Sequence, residues 1–260
     1  MKNVKIWKFK EGQLHSIADP VAEERSLHVQ LEPEVAFDVI ITPEDIKEFV
    51  IGNLFSEGFI RSKTELLEYN ERIKNGLIQV NVKLKDFSLR KQFFKKNYNI
   101  TWTECGSSSN IKRPNDQLEP FKSSAKLEAG KIIGIFDIIQ DKIEYFKQTG
   151  AFHYAFLFNN DFKLIAYAYD IGRHNAIDKV LGKAMVDNDD KFEDKVLFIT
   201  GRISSDIILK CIRAGVPTLI SNGAPFDTAI ELANKFNVCL IGFLRNRTFN
   251  IYSNFKRVYK

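Results

Sequence analysis

The sequence predicts an α/β fold: a sheet of mainly parallel strands with helices on its faces, preceded by a smaller β-rich part. Three observations carry this. Residues 196–244 alternate strand, helix and strand at the spacing of crossover units. The first hundred residues hold segments that alternate apolar and polar side chains, as strands do. Between the two parts lies CGSSSNIKRPNDQ, residues 105–117, polar and rich in turn formers. These divide the chain into an N-terminal subdomain, 1–117, ending in the Cys105 loop, and an α/β domain, 118–260.

Composition agrees with a folded protein. The chain has 260 residues, of which 44% are hydrophobic and 27% charged, enough for a sizeable core. The net charge of +5 suits an anionic ligand and is too small and too evenly spread to argue for nucleic acid. The three cysteines, Cys105, Cys211 and Cys239, are too few and too far apart for a disulfide framework. Reduced thiols point to the cytoplasm. No run of about 18 apolar residues predicts a membrane span, and the first residues lack the apolar stretch of a signal peptide.

Taken in order, Val4 to Phe9 and Leu77 to Leu84 read as half-buried strands. Thr42-Pro43-Glu44-Asp45 reads as a helix start, with Thr42 as cap and Pro43 in the first position. Ile46, Phe49, Val50 and Leu54 then form an apolar face, and Gly58 ends the helix. Ile132, Phe136, Ile139, Ile143 and Phe146 share one helical face ending at Gly150. A hairpin follows, with strands His153–Phe158 and Phe162–Ala168. A helix from about Asn175 buries Ile177, Val180, Leu181 and Met185. Strands are predicted at Val196–Thr200, Val216–Ser221 and Val238–Leu244, with helices at Ser205–Arg213 and Asp227–Phe236. Cys211 and Cys239 fall inside these apolar stretches and read as core.

In such sheets ligands bind where the chain leaves the carboxyl ends of the strands. Three loops stand there: Thr200 to Ser204, Ser221 to Pro225, and the turn after Leu244. Gly201 allows close backbone approach, and Arg202 adds a forked phosphate donor at a helix start; the bland reading is a capped helix with a surface arginine. Asp170 to Lys179, DIGRHNAIDK, is the densest polar cluster. In it Asp178 follows His174 by one helical turn, so that the two can pair; the bland reading is a helix cap. His153, alone in an apolar strand, reads more readily as a satisfied core residue. Arg245 and Arg247, near Phe249 and Tyr252, suit a phosphate and a flat ring, or form a solvated basic turn. Cys105 sits in a polar loop, and Lys95, Lys96, Lys112 and Arg113 would favour its thiolate if they approach it. No Walker loop, dinucleotide fingerprint or deaminase zinc motif is present.

The ordered set of these segments resembles the formate dehydrogenase accessory protein family, FdhD. The resemblance runs from Thr42–Asp45 and Ser56-Glu57-Gly58, through Thr149-Gly150-Ala151 with His153, to Asp170–Lys179, Thr200-Gly201-Arg202, Ala224-Pro225 and Gly242–Tyr252. Gly172-Arg173-His174-Asn175-Ala176 is its most specific part. It implies a cytidine deaminase-like three-layer α/β/α domain without the zinc site, plus the smaller N-terminal subdomain. It further implies a sulfurtransferase activity. A cysteine desulfurase passes persulfide sulfur to Cys105, which hands it to the molybdenum bis(molybdopterin guanine dinucleotide) cofactor, destined for the formate dehydrogenase apoenzyme. That cofactor is bound as substrate, with no metal held directly by the protein. Its implied binding residues are Gly172, Arg173, His174, Asn175, Gly201, Arg202, Phe243, Leu244, Arg245, Asn246, Arg247 and Thr248. A cytoplasmic homodimer is also implied, without nucleic acid or membrane partners. The family loop reads Cys-Gly-x-Cys-Gly; here Ser108 and Ser109 replace its second cysteine and glycine. Tyr169 stands in place of a Glu, Phe226 in place of a Thr, and Asn246-Arg247-Thr248 in place of a glycine-rich stretch. The missing second cysteine motivates an alternative: a cofactor-binding chaperone that transfers no sulfur.

Overall fold

The computed structural model describes residues 1–31, 35–85, 118–122, 125–187 and 191–260. The 105–117 loop with Cys105, and with it the boundary drawn after residue 117, lies outside the described residues.

The chain opens with a two-stranded antiparallel ribbon, β1 (Lys2–Lys10) and β2 (Gln13–Val21). Glu11 and Gly12 join the strands, both at positive φ, the conformation that matches hairpin twist. The sequence predicts a half-buried strand at Val4–Phe9. The strand is there, but Trp7 and Phe9 are largely exposed, because the ribbon projects from the rest of the chain.

A four-stranded sheet follows, built from β3 (Arg25–Leu31), β4 (Val35–Ile41), β5 (Leu66–Lys74) and β6 (Leu77–Leu84) in the order β4-β3-β6-β5. β3 and β6 are parallel and the other pairs antiparallel. Alternate residues Leu27, Val29, Leu31, Ile78, Val80, Val82 and Leu84 are buried on one face, the period that a strand with one dry face requires. Helix α1 (Ile46–Ser56) connects β4 to β5. It starts later than Thr42-Pro43 predicts, and Asp45 in a left-handed conformation precedes it without a side-chain cap. Thr42 has other partners: its N–H donates to Asp170, its hydroxyl accepts from the Ile171 N–H, and its carbonyl accepts from Lys179. A long-range tie has displaced the local cap. The helix ends as predicted, with Gly58 at positive φ and the Phe59 N–H closing back on the Leu54 carbonyl.

The single helix expected over Ile132–Phe146 is three short ones: α2 (Ala129–Ile133), α3 (Ile135–Ile139) and α4 (Glu144–Thr149). Ile132, Ile135 and Ile139 are buried, whereas Phe146 is about half exposed. The chain breaks at Gly134, where helical propensity is weak. Gly150 ends α4 at positive φ as predicted. Just before α2, β7 (Leu127–Glu128) pairs with the C-terminal β14 (Val258–Tyr259).

The main sheet contains β8 (His153–Phe158), β9 (Leu164–Asp170), β10 (Val196–Ile199), β11 (Thr218–Ser221), β12 (Cys239–Arg245) and β13 (Thr248–Ser253), in the order β13-β12-β11-β10-β8-β9. Its helices are α5 (Arg173–Val186), α6 (Ser205–Ala214) and α7 (Asp227–Lys235). The predicted hairpin is present, but Phe162 sits in the turn at positive φ and β9 begins only at Leu164. β10, β11 and β12 are parallel as the sequence predicts. β8 is antiparallel to both β10 and β9, so β9 runs with the parallel set.

Both faces of this sheet are covered. Ala155, Leu157, Leu197, Ile199, Leu219 and Leu240 pack into a core shared with α1, α5, α6, α7 and the four-stranded sheet. Tyr154, Phe156, Phe158, Phe198, Ile220 and Ile241 face the other way, against Ile132, Ile135 and Ile139. Cys211 and Cys239 are buried and free, as predicted. Among the described residues no helix is long and apolar enough to cross a membrane.

Candidate functional site

Because β9 to β12 run the same way, their carboxyl ends and the starts of α5, α6 and α7 lie on one edge of the sheet. α1 crosses α5 in the opposite sense, which brings Ser56 and Glu57 to that edge too.

Glycine makes the edge compact. A Cβ on Gly223 would stand 2.7 Å from the Gly201 carbonyl oxygen, and one on Gly242 3.1 Å from that of Gly223. Gly201 itself lies against Arg173 and His153. The ends of β10, β11 and β12 are thus nested backbone to backbone. The Ser221 hydroxyl donates to the Gly201 carbonyl at 2.6 Å and accepts from the Gly223 N–H at 2.9 Å. The Phe243 N–H donates to Gly223.

Two buried polar networks hold the helix starts in place. In the first, Asp170 forms an ion pair with Lys179 at 2.7 Å, both side chains fully buried. Asp170 also accepts from the N–H groups of Thr42 and Gly172 and from the Asn175 amide. The Asn175 amide gives its second hydrogen to the Ile40 carbonyl. In the second, Asp178 accepts from Asn53, Ser56 and Lys210 at 2.6–3.0 Å. Lys210 also reaches Glu57 at 2.9 Å. Burial pushes the Asp178 carboxyl up, while Lys210 and the hydroxyl and amide donors pull against it. Burial alone would lower Lys210, but Asp178 and Glu57 outweigh it and hold the ammonium up.

These networks correct one expectation. The i, i+4 spacing predicts that His174 and Asp178 can pair, but Asp178 is taken by α1 and α6. The His174 Nε2 is buried with no hydrogen-bond partner. Burial, then the charges of Lys210 and Arg173, hold the imidazole down to about 3, so it is neutral. His153 is likewise lowered, by burial first and then by Arg173 and Arg202.

Two further buried atoms at this edge lack partners: the Arg173 Nε and the Ser204 hydroxyl. Ser204 precedes α6 in extended conformation but makes no capping bond. Buried polar atoms are rarely left unpaired in native proteins, and three of the described ones that are unpaired stand at the starts of α5 and α6.

The structure brings Gly172, Arg173, His174, Gly201 and Arg202 together around His153, and uses Asn175 as a tie between α5 and the end of β4. Arg202 lies over the Phe226 ring at 5.6 Å, where the resembling family carries a Thr. Two strands further along, Asn246 and Arg247, both at positive φ, form the turn between β12 and β13. Arg245 lies over the Phe243 ring at 5.0 Å, and the Thr248 hydroxyl donates to the Arg245 carbonyl. Leu244 points into the core, so its side chain has no free face for a ligand. Sequence reasoning placed Ser204 at the end of a loop without giving it a role, and missed the Lys210 network. For Lys210 a signal existed: it follows Ile207 by three residues and precedes Ala214 by four, on the face that helical periodicity buries. Among the described residues, no three His, Cys, Asp or Glu side chains form a group able to hold a metal ion.

Fold and edge together define a class: an α/β protein whose loops and helix starts gather at the carboxyl edge of its sheet, the edge where ligands meet sheets of this kind. The chain belongs to the FdhD/NarQ family, whose model matches residues 22–259. It is 31% identical to the sulfur carrier protein FdhD of Bacillus subtilis, over 97% of this chain and 95% of that one. To the protein of the same name from Staphylococcus haemolyticus it is 34% identical, with the same coverage of both chains. A crystal structure from Desulfotalea psychrophila, described as a formate dehydrogenase accessory protein, superposes with a TM-score of 0.76 at 25% identity and covers 99% of both chains.

Proposed function

We propose that this protein is a sulfur carrier serving formate dehydrogenase, with Cys105 as the persulfide-bearing residue. Family membership and the names of the relatives support the carrier role and favour it over a chaperone that moves no sulfur. The choice of cysteine rests on burial. Cys211 and Cys239 lie in the core, where burial pushes their thiols up to about 12 and about 11. Neither can present a thiolate to a protein-bound persulfide, which leaves Cys105.

In this reading the protein acts as a sulfurtransferase. The Cys105 thiolate attacks the outer sulfur of a cysteine desulfurase persulfide. A new S–S bond forms, the old one breaks, and the desulfurase thiolate leaves. Delivery of the carried sulfur as sulfide takes two electrons from a thiol-class reductant. The receiver is the molybdenum bis(molybdopterin guanine dinucleotide) cofactor, a bound substrate on its way to the formate dehydrogenase apoenzyme. Its anionic and donor-rich groups match the carboxyl edge. Arg173, Arg202, Arg245 and Arg247 face phosphates, His174 contributes a neutral hydrogen-bonding group, and Gly172, Gly201, Asn246 and Thr248 let ligand approach the backbone. Phe243 supplies a flat surface beside Arg245. A cytidine deaminase-like three-layer arrangement of the main domain, a homodimeric assembly and a cytoplasmic location belong to the same reading.

The test is intact mass after incubation with a cysteine desulfurase and cysteine. The expected result is a gain of one sulfur that reductant removes and that Cys105→Ser abolishes. A gain retained in Cys105→Ser would overturn the role of this residue. No gain in the unaltered chain, beside an active desulfurase, would overturn the carrier reading.

A further inference from the structure

Among the described residues four cations are buried: Lys179, Lys195, Lys210 and Arg257. The three lysines each meet a carboxylate, Asp170 at 2.7 Å, Asp194 at 3.0 Å and Asp178 at 2.8 Å respectively. Arg257, 7% exposed, meets none among the described residues. Its Nε donates to the Ala125 carbonyl, one terminal nitrogen to the Pro217 carbonyl and the other to the Thr218 hydroxyl. These bonds clamp the C-terminal segment to the amino end of β11. Every acceptor is neutral, however, so the charge is not compensated, and two of the five hydrogens a guanidinium carries are unused. A buried charge without a counter-charge is costly.

Arg257 lines a cavity of about 510 Å³, within the roughly 300–1,000 Å³ of small-molecule sites. The cavity lies at the amino ends of β11 and β12, across the sheet from the carboxyl edge. Lys122 lines it too, and the Lys126 ammonium donates to the Lys256 carbonyl beside Arg257. The lining holds one carboxylate, the exposed Glu119, and no ion pair joins it to Arg257. Two further groups narrow the kind of ligand. The Asn237 amide nitrogen donates to the Phe121 carbonyl, and that of Asn254 to the Val238 carbonyl. Each asparagine therefore keeps its amide oxygen, an acceptor, for a ligand. Phe121 adds an apolar wall.

We propose that this cavity binds an α-carboxylate. Arg257 takes the carboxylate through its remaining hydrogens, as charge-assisted bonds, and the Asn237 and Asn254 oxygens accept N–H donors next to it. A free amino acid and the carboxyl-terminal residue of a peptide share that chemistry. Inorganic phosphate would leave both amide oxygens without donors and would set a second negative charge near Glu119. The site stands apart from the carboxyl edge and does not depend on the sulfur-carrier reading.

The experiment is calorimetric titration of the full chain with acetyl-glycyl-phenylalanine, with its carboxyl-terminal amide and with free phenylalanine, alongside a thermal melt of each protein used. The acid is expected to bind roughly ten- to a hundredfold more tightly than its amide, the worth of a hydrogen bond between charged groups. Free phenylalanine binding as well as the acetylated dipeptide would support the site and identify a free amino acid as sufficient; binding of the dipeptide acid alone would support it and identify a peptide terminus. Lys122→Glu is expected to weaken the acid about three- to tenfold, and Glu119→Gln to tighten it by a smaller factor, both at an unchanged melting temperature. Equal binding of acid and amide, no binding of any of the three probes, or acid binding indifferent to Lys122→Glu would overturn the proposal. So would a lowered melting temperature in Glu119→Gln, which would make Glu119 the counter-charge of Arg257.

Discussion

At the scale of single residues, neighbours in space outrank neighbours in sequence. Thr42 has the chemistry of a helix cap, yet its backbone and hydroxyl tie the β4–α1 connection to Asp170, Ile171 and Lys179. His174 has a carboxylate one turn away and does not pair with it, because Asp178 is held by Asn53, Ser56 and Lys210. The consequence for His174 can be measured. Its pKa in the folded protein, about 3, lies below the 6.5 of an unperturbed histidine. As pH falls through about 6.5 the unfolded chain takes up this proton and the folded chain does not. Stability from this group is therefore complete above pH 6.5 and lost towards pH 3, by up to about 1.4 kcal/mol per pH unit. Between pH 7 and 4.5, urea unfolding is expected to show a loss about 2.5 kcal/mol smaller in His174→Gln than in the unaltered chain. Equal losses in the two proteins would mean that His174 is not held neutral.

At the scale of elements, the contact between α1 and α5 is set by two glycines that the sequence gives no reason to single out. A Cβ on Gly52 would lie 1.8 Å from the Asp178 carbonyl oxygen, and one on Gly182 1.8 Å from that of Glu48. Backbone meets backbone at both points, so no side chain can move aside. Gly52→Ala and Gly182→Ala should each cost at least about 3 kcal/mol in chemical denaturation, at or beyond the usual range for overpacking. Gly130→Ala provides the contrast. Its Cβ would meet only the Glu128 side chain, at 3.5 Å, so the better helix former should be neutral or stabilise by up to about 1 kcal/mol. Equal effects in all three variants would show that propensity, not the close helix crossing, governs these positions. The strands and long helices were legible because their apolar periodicity agrees with the tertiary packing, as in β6 and α5. Over Ile132–Phe146 the periodicity was present, but Gly134 breaks the helix and Phe146 finds no core to enter.

For the whole molecule, composition and alternation place a β-rich part before an α/β part, but they do not say whether the two are energetically separate. The core does: buried side chains from β3, β4 and β6 pack in one continuous cluster with those of α1, α5, α6, α7 and one face of the main sheet. Asp178, Lys210 and Glu57 join the same parts through buried charge. Heat is expected to unfold the chain in a single transition, with a calorimetric to van't Hoff enthalpy ratio near one. Two resolved transitions would show that the parts on either side of residue 117 are independent folding units.

The sequence by itself determined the parallel run of β10, β11 and β12, the helices between them, and the loops where a ligand would meet the sheet. It could do so because strand and helix periods, glycine stops and crossover rules are local properties of the chain. Its family resemblance rests on the same local segments in their order. Only the tertiary structure decided which polar residues of those loops are engaged in holding the fold and which remain free. Asp170, Asn175 and Asp178 differ little from Arg173, His174 and Ser204 as residue types in a polar loop or helix start. They differ in whether residues more than a hundred positions away, Ile40, Thr42, Asn53 and Ser56, have already satisfied them. Hydrogen bonds across such separations form only once the helices have packed, so the identity of the free groups is a property of the packed molecule.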